Sequence, residues 1–125
     1  MAPCDTLHFM KTHRLVMPGD LNQYGFLFGG KMLSWIDEAC WIAATLDFPG
    51  RRFVTIGMDK VEFHHGVREG VILEINCQRV KMGTTSLSYQ VSVIRGSGDD
   101  KTEIFSTCVS FVNVDAEGNK QPIAQ

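Results

Sequence analysis

Residues 17–37 read MPGDLNQYGFLFGGKMLSWID, a turn-rich segment that runs through two glycines into an apolar helix. Turn residues predominate as far as Gly25, and apolar residues then recur at helical spacing from about Phe28 to Leu46. The apolar stripe consists of Met32, Ile36, Ala39 and Ala43, with Leu33, Cys40 and Ala44 beside it. Because proline cannot continue a helix, Pro49 ends the pattern. The sequence therefore predicts one long helix.

The rest of the chain is typical of β-strands. Apolar and polar residues alternate along segments that predict strands over residues 6–17, 53–64, 70–80, 87–94 and 105–114. One long helix and five strands are most simply combined if an antiparallel sheet curls around the helix. We therefore expect an α+β fold, a long central helix wrapped by a five-stranded antiparallel sheet, in a single domain spanning residues 1–125. Trp35, Trp41 and Ile42 lie off the apolar stripe, and we expect a neighbouring subunit to cover them.

The composition excludes several classes of protein. The chain has 125 residues, 44% hydrophobic and 21% charged, as in ordinary globular domains. Its net charge is −2, which gives no indication of a nucleic-acid partner. No cysteine pair has metal-site spacing, and we expect Cys40, Cys77 and Cys108 to be reduced core thiols and no metal to bind. We recognise no leader segment and no apolar run near the ~20 residues of a membrane span, so we expect a cytoplasmic protein without membrane contact.

Asp37 and the double glycine are the first candidates for chemistry. Asp37 lies within the apolar helix, where a carboxylate can serve as a base or a nucleophile, although it can also lie at the edge of the stripe and reach water. Glu38 is not easily distinguished from it. Gly29 and Gly30 begin the helix, and their N–H groups can form an oxyanion hole or simply belong to a tight turn with positive φ. Together these parts suit the cleavage of an activated acyl group.

Three other positions carry polar groups whose role the pattern leaves open. Asn22 lies among turn residues, so a plain Asx-turn is favoured over an amide that orients water or a carbonyl beside Asp37. His64 and His65 end a strand, where at most one of them can face a site. The connection after Lys81 could hold a phosphate, although spacing alone favours a solvated loop. The residues of that connection are Gly83, Thr84, Thr85 and Ser86.

Two blocks of the chain resemble a known family. They read Met17-Pro18-x-Asp20-x-Asn22-x-x-Gly25-x-x-Phe28-Gly29-Gly30 and Trp35-Ile36-Asp37. These blocks closely resemble the hotdog-fold acyl-CoA thioesterases of the YciA and cytosolic acyl-CoA hydrolase type. The resemblance implies a hotdog fold, an acyl-CoA substrate, no separate cofactor, and a dimer with a shared ten-stranded sheet that commonly assembles into a hexamer, a trimer of dimers.

The same resemblance implies roles for individual residues. Asp37 is the implied base or nucleophile, and Asn22 of the partner subunit positions water or substrate. The amides around Gly29 and Gly30 polarise the thioester carbonyl, and the region from Gly83 to Ser86 helps to bind the phosphates of coenzyme A. The aromatic residues expected to line the acyl channel are Tyr24, Phe26, Phe28 and Trp41.

Some features depart from the family pattern. Leu21 stands where threonine is frequent, Gly66 replaces the usual proline, and Val71 replaces the usual aspartate, which leaves the acyl-chain preference open.

Two other functions compete with hydrolysis. One is a non-catalytic protein that binds or senses acyl-CoA. The other is a hotdog dehydratase, which needs a histidine near the helix and is disfavoured by the position of His64 and His65 in the sequence.

Overall fold

Five strands and one long helix are present in the computed structural model, which describes residues 9–96 and 99–124. The elements are β1 (Phe9–Leu15), a 3₁₀ turn (Pro18–Asp20), α1 (Gly29–Asp47), β2 (Phe53–Phe63), β3 (Ile72–Met82), β4 (Ser86–Arg95) and β5 (Thr102–Asn113). The strands form one antiparallel sheet in the order β1-β3-β4-β5-β2. This confirms the predicted fold class, while residues 6–8 of the predicted first strand lie outside the described residues.

The core lies between α1 and one face of the sheet. The helix contacts β1, β2, β3 and β4, so the sheet curls around it. The largest fully buried side chains come from the helix and the three central strands, and they include Ile36, Leu73, Ile75, Tyr89, Phe105 and Phe111. A long apolar helix beside alternating strands has this arrangement because each element must bury its apolar side against another.

Trp35 is a correction to the sequence-based expectation. Its side chain is only 7% exposed within the single chain, and the guanidinium of Arg14 on β1 lies 5.2 Å from the centre of its ring. The expectation that a neighbouring subunit covers Trp35 is wrong, because edge strand β1 of the same chain reaches around the helix to cover it. Trp41 and Ile42 remain exposed, as expected.

Strand β2 forms the other edge of the sheet, and its pairing is interrupted twice. The register with β5 shifts between Thr55 and Gly57 and again between Asp59 and Glu62. Lys60, within the second shift, has a φ of 57°, in the left-handed region. Such irregularities leave residues unpaired and increase the local twist of a strand. The simple alternation predicted over residues 53–64 is therefore broken.

The outer edge of β2 is apolar and uncovered in the single chain. Its exposed apolar residues are Val54, Ile56, Val61 and Phe63. Trp41 of the helix donates its indole N–H to the carbonyl of Phe53, which places the exposed part of the helix next to this edge. An apolar patch beside unpaired strand edges is typical of a protein–protein interface.

The far end of α1 is fixed to the sheet by a polar cluster. The hydroxyl of Tyr89 donates to Asp47 Oδ2 at 2.6 Å, and Arg79 Nη1 lies 3.8 Å from the same oxygen. The Arg79 guanidinium also lies 4.9 Å from the centre of the Phe48 ring. Burial and the hydrogen bond to Asp47 both raise the pKa of Tyr89 above its ordinary value. The helix therefore ends beside the C-terminal part of β3 and the middle of β4.

The cysteines follow the expectation in two of three cases. Cys40 and Cys77 are buried free thiols whose Sγ atoms lie 3.7 Å apart. The Sγ contact with Cys77 and burial both raise the pKa of Cys40. Cys108 is only half-buried on the outer face of β5, so its assignment to the core is wrong.

No helix in the described ranges is long and apolar enough to cross a membrane.

Candidate active site

Asp37 is held by a residue of the exposed edge strand. The side chain of Asp37 is half-buried on the third turn of α1, at the boundary between buried positions such as Ile36 and exposed ones such as Glu38. Thr55 Oγ1, on β2, donates a hydrogen bond to Asp37 Oδ1 at 2.5 Å. This bond orients the carboxylate and leaves the second oxygen, Oδ2, for another partner. The sequence analysis missed Thr55, because no spacing within the sequence relates it to Asp37.

A cleft of about 420 Å³ opens beside the start of α1. Its walls are partly apolar, and the lining residues include Asn22, Phe26, Leu27, Gly29, Met32 and Phe63. The cleft is thus bounded by the turn before the helix, the first turn of the helix and the end of β2. A cleft with apolar walls and a few polar groups is the usual form of a small-molecule site.

Asn22 combines a structural role with a free amide. Its Oδ1 accepts hydrogen bonds from the backbone N–H groups of Tyr24, at 2.8 Å, and Phe26, at 3.1 Å. The predicted Asx-turn is therefore confirmed. The Asn22 side-chain NH₂ donates to no group in the described part of the chain, and Asn22 lines the cleft. The turn thus holds the side chain by its oxygen and leaves its nitrogen available to a ligand.

The two glycines at the helix start lie in close contact with aromatic rings. Neither has a positive φ, so the expected left-handed turn is not their reason; Gly25 supplies that conformation with a φ of 86°. A Cβ at Gly29 would lie 3.2 Å from the ring of Phe63, and one at Gly30 would lie 3.0 Å from the ring of Phe28. Both distances are tighter than ordinary van der Waals contacts.

The backbone amides of these glycines are available as donors. Phe28 O accepts the N–H groups of Lys31 and Met32. The N–H groups of Gly29 and Gly30 have no acceptor among the described residues. Unpaired N–H groups at a helix start are suited to a developing negative charge.

Both histidines line the cleft, contrary to the expectation that only one of them can face a site. The reason is that β2 ends at Phe63, so His64 and His65 no longer alternate as strand residues do. His64 Nε2 lies 3.8 Å from a carboxylate oxygen of Glu62. Across the described ranges, no three His, Cys, Asp or Glu residues are placed to hold a metal ion.

The predicted site residues do not meet within one chain. Asn22 and Gly29 line the cleft, whereas Asp37 does not. The eight helical steps from Gly29 to Asp37 correspond to about 12 Å along the axis. The connection from Gly83 to Ser86 is farther still, because it joins β3 to β4 at the end of the sheet where the helix terminates. There the carbonyls of the two threonines accept backbone N–H groups, Thr84 from Ile123 and Thr85 from Asn113.

Comparison with known proteins identifies the family. Residues 24–102 match the model of the thioesterase superfamily. An uncharacterized acyl-CoA thioester hydrolase of Bacillus subtilis, YkhA, is 35% identical over 96% of this chain and 70% of its own. The human cytosolic acyl coenzyme A thioester hydrolase is 26% identical over 89% of this chain, which spans only 30% of that longer protein.

Solved structures agree with this assignment. A hexameric hotdog-fold thioesterase of Campylobacter jejuni superposes with a TM-score of 0.79 and 37% identity, covering 90% of this chain and 88% of its own. An acyl-CoA hydrolase of Staphylococcus aureus, solved with butyryl coenzyme A and coenzyme A, has a TM-score of 0.85 and 26% identity, covering 95% of this chain and 73% of its own. The chain with the Asp37–Thr55 pair and the cleft at its helix start therefore belongs to the thioesterase superfamily and has the hotdog fold.

Proposed function

We propose that this protein hydrolyses acyl-CoA thioesters to free carboxylic acids and coenzyme A. The observation that carries the proposal is the Asp37 carboxylate, oriented by Thr55 beside an uncovered subunit edge, in a chain of the thioesterase superfamily. The relatives from Bacillus subtilis and from human are both named as acyl-CoA thioester hydrolases. The Staphylococcus aureus structure holds butyryl coenzyme A and coenzyme A.

In the proposed reaction, Asp37 acts on the thioester carbonyl in one of two ways. As a general base it takes a proton from water, whose oxygen attacks the carbonyl carbon and displaces the thiolate of coenzyme A. As a nucleophile its carboxylate attacks directly, and water then hydrolyses the resulting anhydride. In both cases the carbonyl oxygen becomes negative, and the free N–H groups of Gly29 and Gly30 would stabilise it. The thiolate leaves and is protonated to the free thiol.

The site is proposed to be complete only in a dimer. The apolar edge of β2 and the adjacent Trp41 provide a surface for a second copy, related by a two-fold axis. Such pairing would bring Asp37 of one chain close to Asn22 and Gly29 of the partner chain. The Campylobacter jejuni thioesterase is hexameric, which supports a hexamer built from such dimers here.

Variants of the Staphylococcus aureus enzyme support the choice of Asn22 and Asp37. Its solved forms include single alanine replacements of an asparagine, an aspartate and a threonine. The asparagine precedes the aspartate by fifteen positions in that chain, the spacing of Asn22 and Asp37 here. We therefore propose that Asn22 holds the water or the substrate with its free amide, and that Thr55 positions Asp37.

Coenzyme A is the proposed leaving group and not a resident cofactor. The connection from Gly83 to Ser86 is proposed to contact its phosphates from a neighbouring subunit, because within one chain this connection lies at the far end of the sheet.

We also propose a cytoplasmic location. The unbonded thiols of Cys40 and Cys77, 3.7 Å apart, suit a reducing compartment.

The test is release of free thiol from acyl-CoA thioesters of graded chain length, by wild type and Asp37→Ala. We expect wild type to release thiol and Asp37→Ala to lose about 10²–10⁴-fold in kcat, the usual contribution of a positioned base, while remaining folded. Turnover by Asp37→Ala close to that of wild type would overturn the role of Asp37. No release by wild type, together with tight binding of the thioesters, would indicate a non-catalytic acyl-CoA-binding protein.

The two roles of Asp37 are separated by a single turnover in ¹⁸O-labelled water. If Asp37 is a general base, the label enters the fatty acid directly and the enzyme stays unlabelled. Label in the Asp37 carboxylate after one turnover would instead establish the nucleophilic route.

A further inference from the structure

The side chain of Phe26 forms a wall of the cleft beside the start of α1. It is half-buried, and it lines the cleft together with the apolar residues Leu27, Met32, Phe63 and Val67. An aromatic ring at this position limits the space that an apolar ligand can occupy, because protein interiors tolerate little overlap. The position of the ring therefore determines how much of an aliphatic chain the cleft accepts.

The Phe26 ring lies directly against the backbone of Gly66. A Cβ at residue 66 would lie 2.8 Å from Cδ1 and 3.1 Å from Cε1 of that ring. The first distance is shorter than any real contact of this kind, so a side chain at position 66 requires the ring to move. Gly66 has no positive φ, so the close approach of the ring, and not the backbone conformation, accounts for glycine here.

The backbones on either side of this contact are fixed by hydrogen bonds. Phe26 O accepts the N–H of Asn22 at 2.7 Å, and Phe26 N donates to the Asn22 side chain. Leu27 N donates to Val67 O at 2.6 Å, which ties the residue after Phe26 to the residue after Gly66. The two segments cannot separate without breaking the hydrogen bond between Leu27 N and Val67 O. A side chain at position 66 would therefore rotate the Phe26 ring.

Arg68 restricts the direction of that rotation. Its guanidinium carbon lies 4.3 Å from the centre of the Phe26 ring, a stacked cation–π arrangement. One ring face is thus covered by Arg68 and one ring edge by Gly66. Because Phe26 lines the cleft, we expect its ring to turn into the cleft.

We infer that Gly66 sets the length of acyl chain that the enzyme accepts, by leaving room for Phe26 to lie outside the path of the chain. This inference rests on the proposed function and adds that the cleft receives the acyl group. The ligand class is an aliphatic acyl chain, because the lining near Phe26 is apolar. Gly66 acts through Phe26 and is a specificity-determining residue that takes no part in the chemistry.

The test compares wild type with Gly66→Ala in two measurements. The first is kcat/KM on acyl-CoA thioesters from butyryl to palmitoyl. The second is the Kd of alkyl-CoA thioethers of the same lengths, which lack the carbonyl and bind without reacting. We expect Gly66→Ala to lose the longer chains selectively in both series, by about tenfold or more for each methylene that no longer fits, and to retain butyryl. Gly19→Ala is the matched control, since a Cβ there meets nothing within 4 Å.

A second variant identifies the ring as the cause. Phe26→Leu removes the aromatic wall, so in this background Gly66→Ala should no longer shorten the accepted chain, a non-additive result. An equal effect of Gly66→Ala on short and long chains in both measurements would overturn the inference. If wild type releases no thiol, but Gly66→Ala still weakens the binding of the longer thioethers, the proposed function would be overturned and the inference would stand.

Discussion

Thr55 Oγ1 on the edge strand β2 donates a 2.5 Å hydrogen bond to Asp37 Oδ1 on α1. The strand whose apolar edge is proposed to meet a second copy therefore also orients the carboxylate proposed to act on the substrate. A change in the pairing of β2 that moves Thr55 would alter the orientation of the Asp37 carboxylate, because a hydrogen bond joins the two side chains. The activity is thus expected to depend on assembly through this strand.

Replacing Thr55 by alanine should lower kcat without unfolding the protein. A hydrogen bond to a charged group is worth about 1.5–3 kcal/mol, which corresponds to a loss of roughly 10- to 100-fold in rate. KM should change little, because Thr55 positions Asp37 and does not bind the substrate. Thr55→Ser, which keeps the hydroxyl, is the control. Failure of serine to restore kcat, or an equal loss of folding stability in both variants, would show that Thr55 acts only through packing.

Two substitutions at Asn22 separate its turn from its amide. Asn22→Asp keeps an oxygen that can accept the N–H groups of Tyr24 and Phe26, so the free energy of unfolding should stay close to that of wild type. It removes the NH₂ donor, so activity should fall. Asn22→Ala should lose both activity and about 1–2 kcal/mol of stability, since two hydrogen bonds disappear. Full activity in Asn22→Asp would mean that the amide has no role in the reaction.

Mixed subunits test whether the site is shared. Asn22→Asp and Asp37→Ala should each be nearly inactive alone. When the two chains are co-expressed in equal amounts, half of the dimers are mixed, and one of the two sites in each mixed dimer has both residues intact. About a quarter of the wild-type activity should therefore return. Purified homodimers mixed at low temperature, where subunits do not exchange, are the control, and absence of recovery after co-expression would place both residues in the same chain's site.

We expect the free energy of unfolding to fall at alkaline pH because of the raised pKa of Tyr89. Burial and the hydrogen bond to Asp47 raise the pKa of Tyr89, whereas in the unfolded chain the phenol ionises at about pH 10. Below that pH its contribution to stability is fully present. As the pH rises further the unfolded chain loses the proton first, so the free energy of unfolding falls by about 1.4 kcal/mol per pH unit from this group.

Chemical denaturation at several pH values between roughly 8 and 11 measures this slope. Tyr89→Phe should show a smaller slope above pH 10, together with a loss of about 1–3 kcal/mol at neutral pH, since Asp47 loses its hydroxyl donor. An unchanged slope in Tyr89→Phe would mean that other groups account for the alkaline loss of stability.

The sequence was sufficient for the elements and for the turn that holds Asn22. The helix was predicted from about Phe28 to Leu46 and observed from Gly29 to Asp47, because a long apolar stripe ended by proline leaves little choice. The turn around Asn22 was likewise predictable, since asparagine bonds its own neighbouring backbone.

Contacts between distant segments were not predictable in the same way. Thr55 reaches Asp37 only because β2 lies beside the helix at the sheet edge, and strand order is not encoded in local spacing. Trp35 was misplaced because the reach of β1 around the helix depends on how strongly the sheet curls. His64 and His65 both enter the cleft because β2 ends one residue before them, and element boundaries are the least certain part of any pattern.

The two register shifts in β2 also affect the free subunit, before it meets a second copy. A newly made chain exposes an apolar strand edge, which is a general hazard for aggregation into mismatched sheets. The interruptions after Thr55 and after Asp59 break the regular course of the strand, and a bulged, more twisted edge is a poorer template for a regular foreign strand. The irregular edge is therefore expected to slow uncontrolled cross-β association of the free subunit during synthesis.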